Sequence, residues 1–206
     1  MKLYLIRHGE TDHNVKRVMQ GHEEVPLNDR GIAQAAALGR RLADMPVDHI
    51  YASDLRRAAM TAAIIGAHTR APIEYLPDLR ERHPGDLTGL PYDHGESPRF
   101  FTDPGYQPPN GEHADVFAQR VADVFGDISK REAGRDRAVA VVTHGMVCAV
   151  FLRVCVGQSV EEIAATRWPN ASLTVASYNG KWSLEVLGDD SHLDEPAHPG
   201  AHVTGG

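Results

Sequence analysis

The chain has 206 residues, 42% apolar and 24% charged, a balance that suits one soluble domain around a single core. A net charge of -7 and a pI of about 5.9 exclude the basic stripe expected of a nucleic-acid binder. No apolar run approaches the ~20 residues of a membrane span, and the short run after Lys2 lacks the length of a secretory signal core, so a cytoplasmic location is expected.

In chain order, Leu3-Tyr4-Leu5-Ile6 reads as a buried strand that ends abruptly in Arg7-His8-Gly9. Asn28 can cap a helix whose apolar positions (Ile32, Ala35, Ala36, Gly39, Leu42) recur at helical spacing. That helix should stop near Met45, since a following proline disfavours helical geometry. His49-Ile50-Tyr51-Ala52 is a second strand, and Ser53-Asp54 looks like the start of a helix carrying Ala58, Thr61, Ala62 and Ile65. Ile73 to Leu76 suggests a third strand. Between Pro84 and Gly111 prolines, glycines and aromatics replace periodic apolar residues, which predicts a loop-rich excursion over the core, with residues 91–111 as a lid. Helical periodicity returns from Ala114 to Arg131.

The run Ala138 to Val142 is continuously apolar and β-branched in part, as in a strand buried on both faces. It ends in Thr143-His144-Gly145, and an apolar helix follows from Val147 to Val156. Within it Cys148 and Cys155 stand two regular turns apart, beyond disulfide reach, so both are expected as core thiols. Two alternating runs, Leu173 to Tyr178 and Trp182 to Leu187, flank the turn pair Asn179-Gly180 and predict a hairpin. The domain should therefore span 1–188, with a mobile polar tail over 189–206. Strands alternating with helices give an α/β fold, a three-layer sandwich whose mostly parallel central sheet is covered by helices on both faces.

In such sheets ligands bind beyond the carboxyl ends of the strands. One crevice can then receive Arg7-His8 and His144-Gly145, although 136 positions separate the two histidines. A neutral imidazole is a competent nucleophile toward phosphorus, and the backbone around Gly9 can hold the other ring nitrogen. The planar fork of Arg7 can grip two phosphate oxygens. The segment SDLRRAAMTA (53–62) puts Arg56 and Arg57 in the first turn of a helix, where a cation opposes the macrodipole. One of the two can face the crevice and the other solvent. Glu81, ahead of Gly85 and Gly89, can act as a proton donor beside a phosphate, or pair with Arg80 or Arg82 on the surface.

Together RHGETDHN, SDLRRAAMTA, LRERHPGDLTG and VVTHG resemble the histidine phosphatase superfamily, the phosphoglycerate-mutase-like proteins, over roughly residues 2 to 190. The resemblance implies that His8 becomes phosphorylated and that Glu81 is the proton donor. It implies a phosphate pocket of Arg7, Arg56 and His144 with backbone groups at Gly9 and Gly145, and a substrate side formed by Asn14, Gln20 and Gly21. It also implies a small phosphorylated metabolite as partner, with no cofactor and no metal, since the arginines neutralise the phosphate. The segment NGEHADVFAQRV departs from the family's Gly-Glu-Ser pattern, with His113 in place of serine.

The short excursion favours water access, hence a phosphatase that hydrolyses a phosphomonoester. Mutase-type phosphoryl transfer (isomerase chemistry) and a catalytically silent interaction domain are the alternatives. The family includes monomers, dimers and tetramers, so a homodimer stays open. His13 and His22 line the crevice mouth or lie at the surface. His192, His198 and His202 are expected to be solvated tail residues. Tyr92, Arg99, Phe100, Phe101 and Tyr106 form a lid over the leaving group, or a small satellite core beneath a loop.

Overall fold

The computed structural model describes residues 1–103, 105–134, 136–166 and 168–193. Its centre is a six-stranded sheet of β1 (Lys2–Arg7), β2 (His49–Ala52), β3 (Ile73–Tyr75), β4 (Ala138–Thr143), β5 (Leu173–Tyr178) and β6 (Trp182–Asp189). The strand order is β3-β2-β4-β1-β5-β6. The first four strands are parallel, and the β5–β6 hairpin joins antiparallel to β1.

The three layers follow from the alternation of side chains along each strand. Leu3 and Leu5 of β1, with Val139 and Val141 of β4, face α5 (Ala114–Arg131) and α6 (Gly145–Phe151), where Phe117, Val121, Phe125 and Phe151 close the core. Tyr4, Ile6, Ala140 and Val142 point the other way, onto Leu38 and Leu42 of α2 (Asp29–Ala43) and Ala58, Ala62 and Ile65 of α3 (Arg56–Thr69). Truncating a fully buried residue such as Leu5 or Leu38 to alanine would cost about 2–5 kcal/mol.

Asn28 caps α2 by accepting from Gly31 N at 2.8 Å, and its amide donates to Glu10 at 3.1 Å. Here Gly31 lies against the chain after β1: a Cβ on Gly31 would fall 2.1 Å from the Glu10 carbonyl oxygen. The start of α2 is thus locked onto the segment that carries His8.

Four details differ from the sequence reading. A short helix, α1 (Asp12–Lys16), follows β1 and is closed by a Thr11–Asn14 capping box. The third helix begins at Arg56 rather than Ser53. After α6 the chain widens into a π-helical turn, Leu152–Val156, that stops at Gly157 (φ +87°), so Cys148 and Cys155 do not share one regular helix, and both are free thiols. The predicted tail also begins too early. Asp189 belongs to β6, the Arg41 guanidinium donates to Asp189 at 2.6 Å, and the His192 ring bonds the Ala171 carbonyl at 3.0 Å. His192 is therefore packed rather than solvated, while His198 and His202 lie outside the described residues.

Among its described residues the excursion carries a 3-10 turn, Gly85–Leu87, and one short α-helix, α4 (Ser97–Thr102). Phe100 and Tyr106 pack with Met19 and Leu87 as a satellite core, with Tyr92 and Phe101 against it. Among the described residues no helix is long and apolar enough to cross a membrane.

Candidate active site

Strands β1 and β4 are adjacent and parallel in register, with Arg7 opposite Thr143. The ladder continues one step past the strands, where His8 N donates to the Thr143 carbonyl at 2.9 Å. This register is what brings the two histidines together: their ring centroids lie 5.2 Å apart at 59°.

His8 is 3% exposed. Its Nδ1 lies 2.7 Å from the Gly9 carbonyl oxygen. A carbonyl can only accept, so Nδ1 carries the proton and the lone pair is left on Nε2. Burial, reinforced by the charges of Arg57 and Arg7, holds the ring's pKa well below the usual histidine value. The imidazole is neutral at physiological pH and presents its lone pair.

The pocket around it is lined by Arg7, Arg57, Glu81 and Gly145, by Asn14, Gln20 and Gly21, and by an apolar wall that includes Tyr92, Phe101 and Met146. With the open mouth counted, it spans about 590 Å³ of unfilled space.

Arg7 is fixed from below. Its guanidinium donates to the Trp168 carbonyl, and it packs on Gly145, where a Cβ would sit 3.7 Å from Nε. That Nε is buried and unpartnered.

The second guanidinium belongs to Arg57, not to Arg56. The buried stripe of α3 runs through Arg57, Ala58, Thr61, Ala62 and Ile65. Arg56 is exposed, and its backbone N–H donates to Glu24 at 2.9 Å. Arg57 is 1% exposed and donates to the carbonyls of Gly21 at 2.8 Å and Glu23 at 3.1 Å, leaving Nε buried without a partner. Burial lowers its pKa to about 10, so it is still a cation at neutral pH. Gly21 serves the pocket through its backbone: φ is +48°, and a Cβ would strike the Pro84 ring at 2.3 Å.

Glu81 enters from the opposite side. Its carboxyl accepts from Arg82 N at 3.0 Å and Met146 N at 3.2 Å. Burial raises its pKa, against the pull of those two N–H groups and of Arg57 and Arg7. Neither flanking arginine pairs with it: Arg80 bonds Asp54 at 2.6 and 2.7 Å, and Arg82 bonds three backbone carbonyls. From behind, His22 bonds the Glu81 carbonyl at 2.7 Å.

Two expected phosphate contacts are placed differently. Gly9 does not line the pocket. Its N–H donates to Thr61 at 3.1 Å and its carbonyl holds His8, so it orients the imidazole. His144 is wholly buried behind His8, with Nε2 2.8 Å from Ser53 Oγ and Nδ1 unpartnered. His113 caps α5 by accepting from Asp115 N at 3.2 Å, the capping task serine would perform there, and does not line the pocket.

Sequence reasoning also missed Asn170, which is 1% exposed. Its amide donates to the carbonyls of His8 (3.0 Å) and Gly9 (3.3 Å) and to Asn14 Oδ1 (3.2 Å). Asn14 Oδ1 also takes Thr11 N at 3.1 Å. The Thr11 hydroxyl lies 3.0 Å from both Asn14 Oδ1 and Gln20 Oε1 and can donate to either. Both amide oxygens thus lie within reach of donors inside the protein, and Asn14 and Gln20 offer N–H donors to the pocket. Only the polarity of the segment Pro169-Asn170-Ala171-Ser172 hinted at this, because the contact joins residues 156 or more positions apart.

Among the described residues no group of three or more His, Cys, Asp or Glu side chains converges as a metal site.

The model of the histidine phosphatase superfamily (branch 1) matches residues 3–190. The chain is 36% identical to the metal-independent phosphoserine phosphatase of Arabidopsis thaliana, over 93% of this chain and 83% of that one. It is 35% identical to phosphoglycerate mutase-like protein 4 of the same plant, over 94% and 87%. Among solved structures, YhfR of Bacillus stearothermophilus superposes with a TM-score of 0.84 at 32% identity, over 93% of this chain and 98% of that one.

Proposed function

The chain belongs to the histidine phosphatase superfamily, and on that premise we propose that it hydrolyses a small phosphomonoester through a phosphohistidine formed on His8. The observation that carries this reading is the state of His8. A neutral imidazole, its tautomer set by the Gly9 carbonyl, offers a lone pair beside two buried guanidiniums.

The phosphate dianion docks between Arg7 and Arg57, whose unpartnered Nε groups gain acceptors. The amides of Asn14 and Gln20 add donors. Such donors are in place before charge spreads in the transition state, which is the main electrostatic contribution to phosphoryl transfer. His8 Nε2 attacks phosphorus in line and the bond to the leaving oxygen breaks. The carboxyl of Glu81, made more basic by burial and by the arriving dianion, gives that oxygen its proton. Water then attacks the phosphohistidine, Glu81 takes back a proton, and the N–P bond breaks to free His8 and inorganic phosphate.

Hydrolysis is placed ahead of mutase-type transfer because the excursion is short and, among its described residues, holds a single α-helix of six residues, which supports access of water to the phosphohistidine. A cytoplasmic location belongs to the same proposal, since Cys148 and Cys155 are unpaired thiols such as a reducing compartment maintains.

The test is rapid quenching with a phosphomonoester, followed by assay for acid-labile, alkali-stable phosphoenzyme. The wild type should show it, and His8→Ala should lose both the adduct and phosphate release. Phosphate release that survives His8→Ala would end this reading. Conversion of 3-phosphoglycerate to its 2-isomer faster than phosphate release would favour the mutase.

A further inference from the structure

The half of the pocket away from His8 carries a second kind of information. We infer that the site is built for the phosphomonoester of an uncharged alcohol with an apolar or aromatic face, and that it discriminates against leaving groups bearing a carboxylate. This rests on the hydrolase reading above and specifies its substrate class.

The first strand of the argument is charge. Among the described residues the pocket is lined by three cations, Arg7, Arg57 and Arg82. Arg7 and Arg57 match the two charges of a phosphate dianion. Arg82 is already engaged: it is 2% exposed and donates to the carbonyls of Glu112 (3.1 Å), Phe100 (2.9 Å) and Tyr106 (2.7 Å). Its guanidinium also lies 4.2 Å from the centre of the Phe100 ring. Arg17, near Tyr92 at 5.9 Å, does not line the pocket. A carboxylate on the leaving group would meet no unengaged cation there and would share the cavity with Glu81. Removing an unpaired charge from water carries a large penalty.

The second strand is shape. Tyr92 and Phe101 meet edge to face with ring centres 5.3 Å apart, and Phe100 meets Phe101 at 5.5 Å and 84°. This geometry is favoured between aromatic rings. The ladder is anchored beneath by Arg82 and by the satellite core of Met19, Leu87 and Tyr106. It is a preformed apolar wall that Met146 continues along the pocket, and burial raises the pKa of the Tyr92 phenol, which stays protonated at neutral pH. Such a wall gains by covering apolar surface and offers a carboxylate nothing.

The experiment compares kcat/KM for benzyl phosphate, glycerol 3-phosphate and 3-phosphoglycerate at neutral pH. All three release an alcohol rather than a phenol, so leaving-group acidity does not dominate the ranking. Benzyl phosphate should exceed 3-phosphoglycerate by about tenfold or more, with glycerol 3-phosphate between them, the scale on which apolar pockets discriminate. Phe101→Ala should lower the value for benzyl phosphate about tenfold and that for glycerol 3-phosphate by clearly less. The wild-type ranking stands by itself should that variant fold poorly. A ranking with 3-phosphoglycerate level with or above benzyl phosphate overturns the inference and leaves the hydrolase standing. Equal losses for both substrates in a folded Phe101→Ala overturn the role of the wall. No phosphate release from any of the three defeats the hydrolase reading itself, and the substrate class with it.

Discussion

Arg56 and Arg57 are adjacent in sequence and opposite in placement, which makes them an internal control. In Arg57→Met the stem packing is largely kept, but the pocket loses one of the two cations proposed to bind the phosphate, with its unpartnered Nε. Removing a preorganised donor of this kind costs about 2.7–4 kcal/mol, or 10²–10³ in rate. Because Arg57 is exposed to only 1%, solvent cannot stand in for it. Arg56→Met removes an exposed charge and should leave kcat/KM within about threefold and stability within ~0.5 kcal/mol. The pH profile provides a second readout. After burial, Arg57 is the largest cause of the depressed His8 pKa, so the acid limb of kcat/KM should move to higher pH in Arg57→Met and stay in place in Arg56→Met. The assay is steady-state phosphate release from an alkyl phosphate between pH 4 and 8, beside a thermal melt. An equal or larger loss in Arg56→Met, or an acid limb that does not move in Arg57→Met, would refute the assignment.

Glu81→Gln should lower kcat by ~10²–10⁴ on alkyl phosphates and by much less on aryl phosphates, whose phenolate needs little protonation; equal losses on both would remove Glu81 from proton transfer. His8 and His144 are held neutral with lowered pKa values in the folded state. Their contribution to stability is complete above the unfolded value of about 6.5 and fades as pH falls from there toward the folded values, by about 1.4 kcal/mol per pH unit for each imidazole. Urea melts from pH 7.5 to 5 should show this slope, and His8→Asn should flatten it. Asn170→Asp replaces a donor by an acceptor against three acceptors. It should cost about 1–3 kcal/mol and raise KM by freeing the Asn14 amide to turn. A stable variant with unchanged KM would show that Asn170 does not orient the site.

The layers were readable because the strands and helices bury their own periodicities. The run Ala138 to Val142 announced a central strand, and β4 is buried along its whole length. Arg57 was readable too: four residues before Thr61, it falls on the stripe already marked by Ala58, Thr61, Ala62 and Ile65, whereas Arg56 falls outside it. The family pattern supplied an arginine, and helix geometry decides between the two. Other features had no local signal. The π-helical turn after Phe151 and the docking of Asp189 and His192 beside α2 depend on packing partners far along the chain. Gly9 was expected at the phosphate, but its N–H is taken by Thr61, a partner 52 positions away that only the tertiary fold supplies.

The place of β1 in the sheet bears on how the protein is made. It leaves the ribosome ahead of the other strands of the sheet, yet its neighbours β4 and β5 are among the later ones to emerge. At ordinary translation speeds the stretch Leu3 to Ile6 waits roughly 10–30 s for the second of them. During that time four side chains destined for complete enclosure have no ladder to join, and nascent α2 and α3 can shelter only Tyr4 and Ile6. Leu3 and Leu5, bound for the opposite face, stay open to chaperones until α5 and β4 arrive. A chain cut short before Trp168 would lack both β5, a sheet neighbour of β1, and the Trp168–Ser172 latch around Arg7 and His8, so such a truncation would remove a support of the site and of the sheet together.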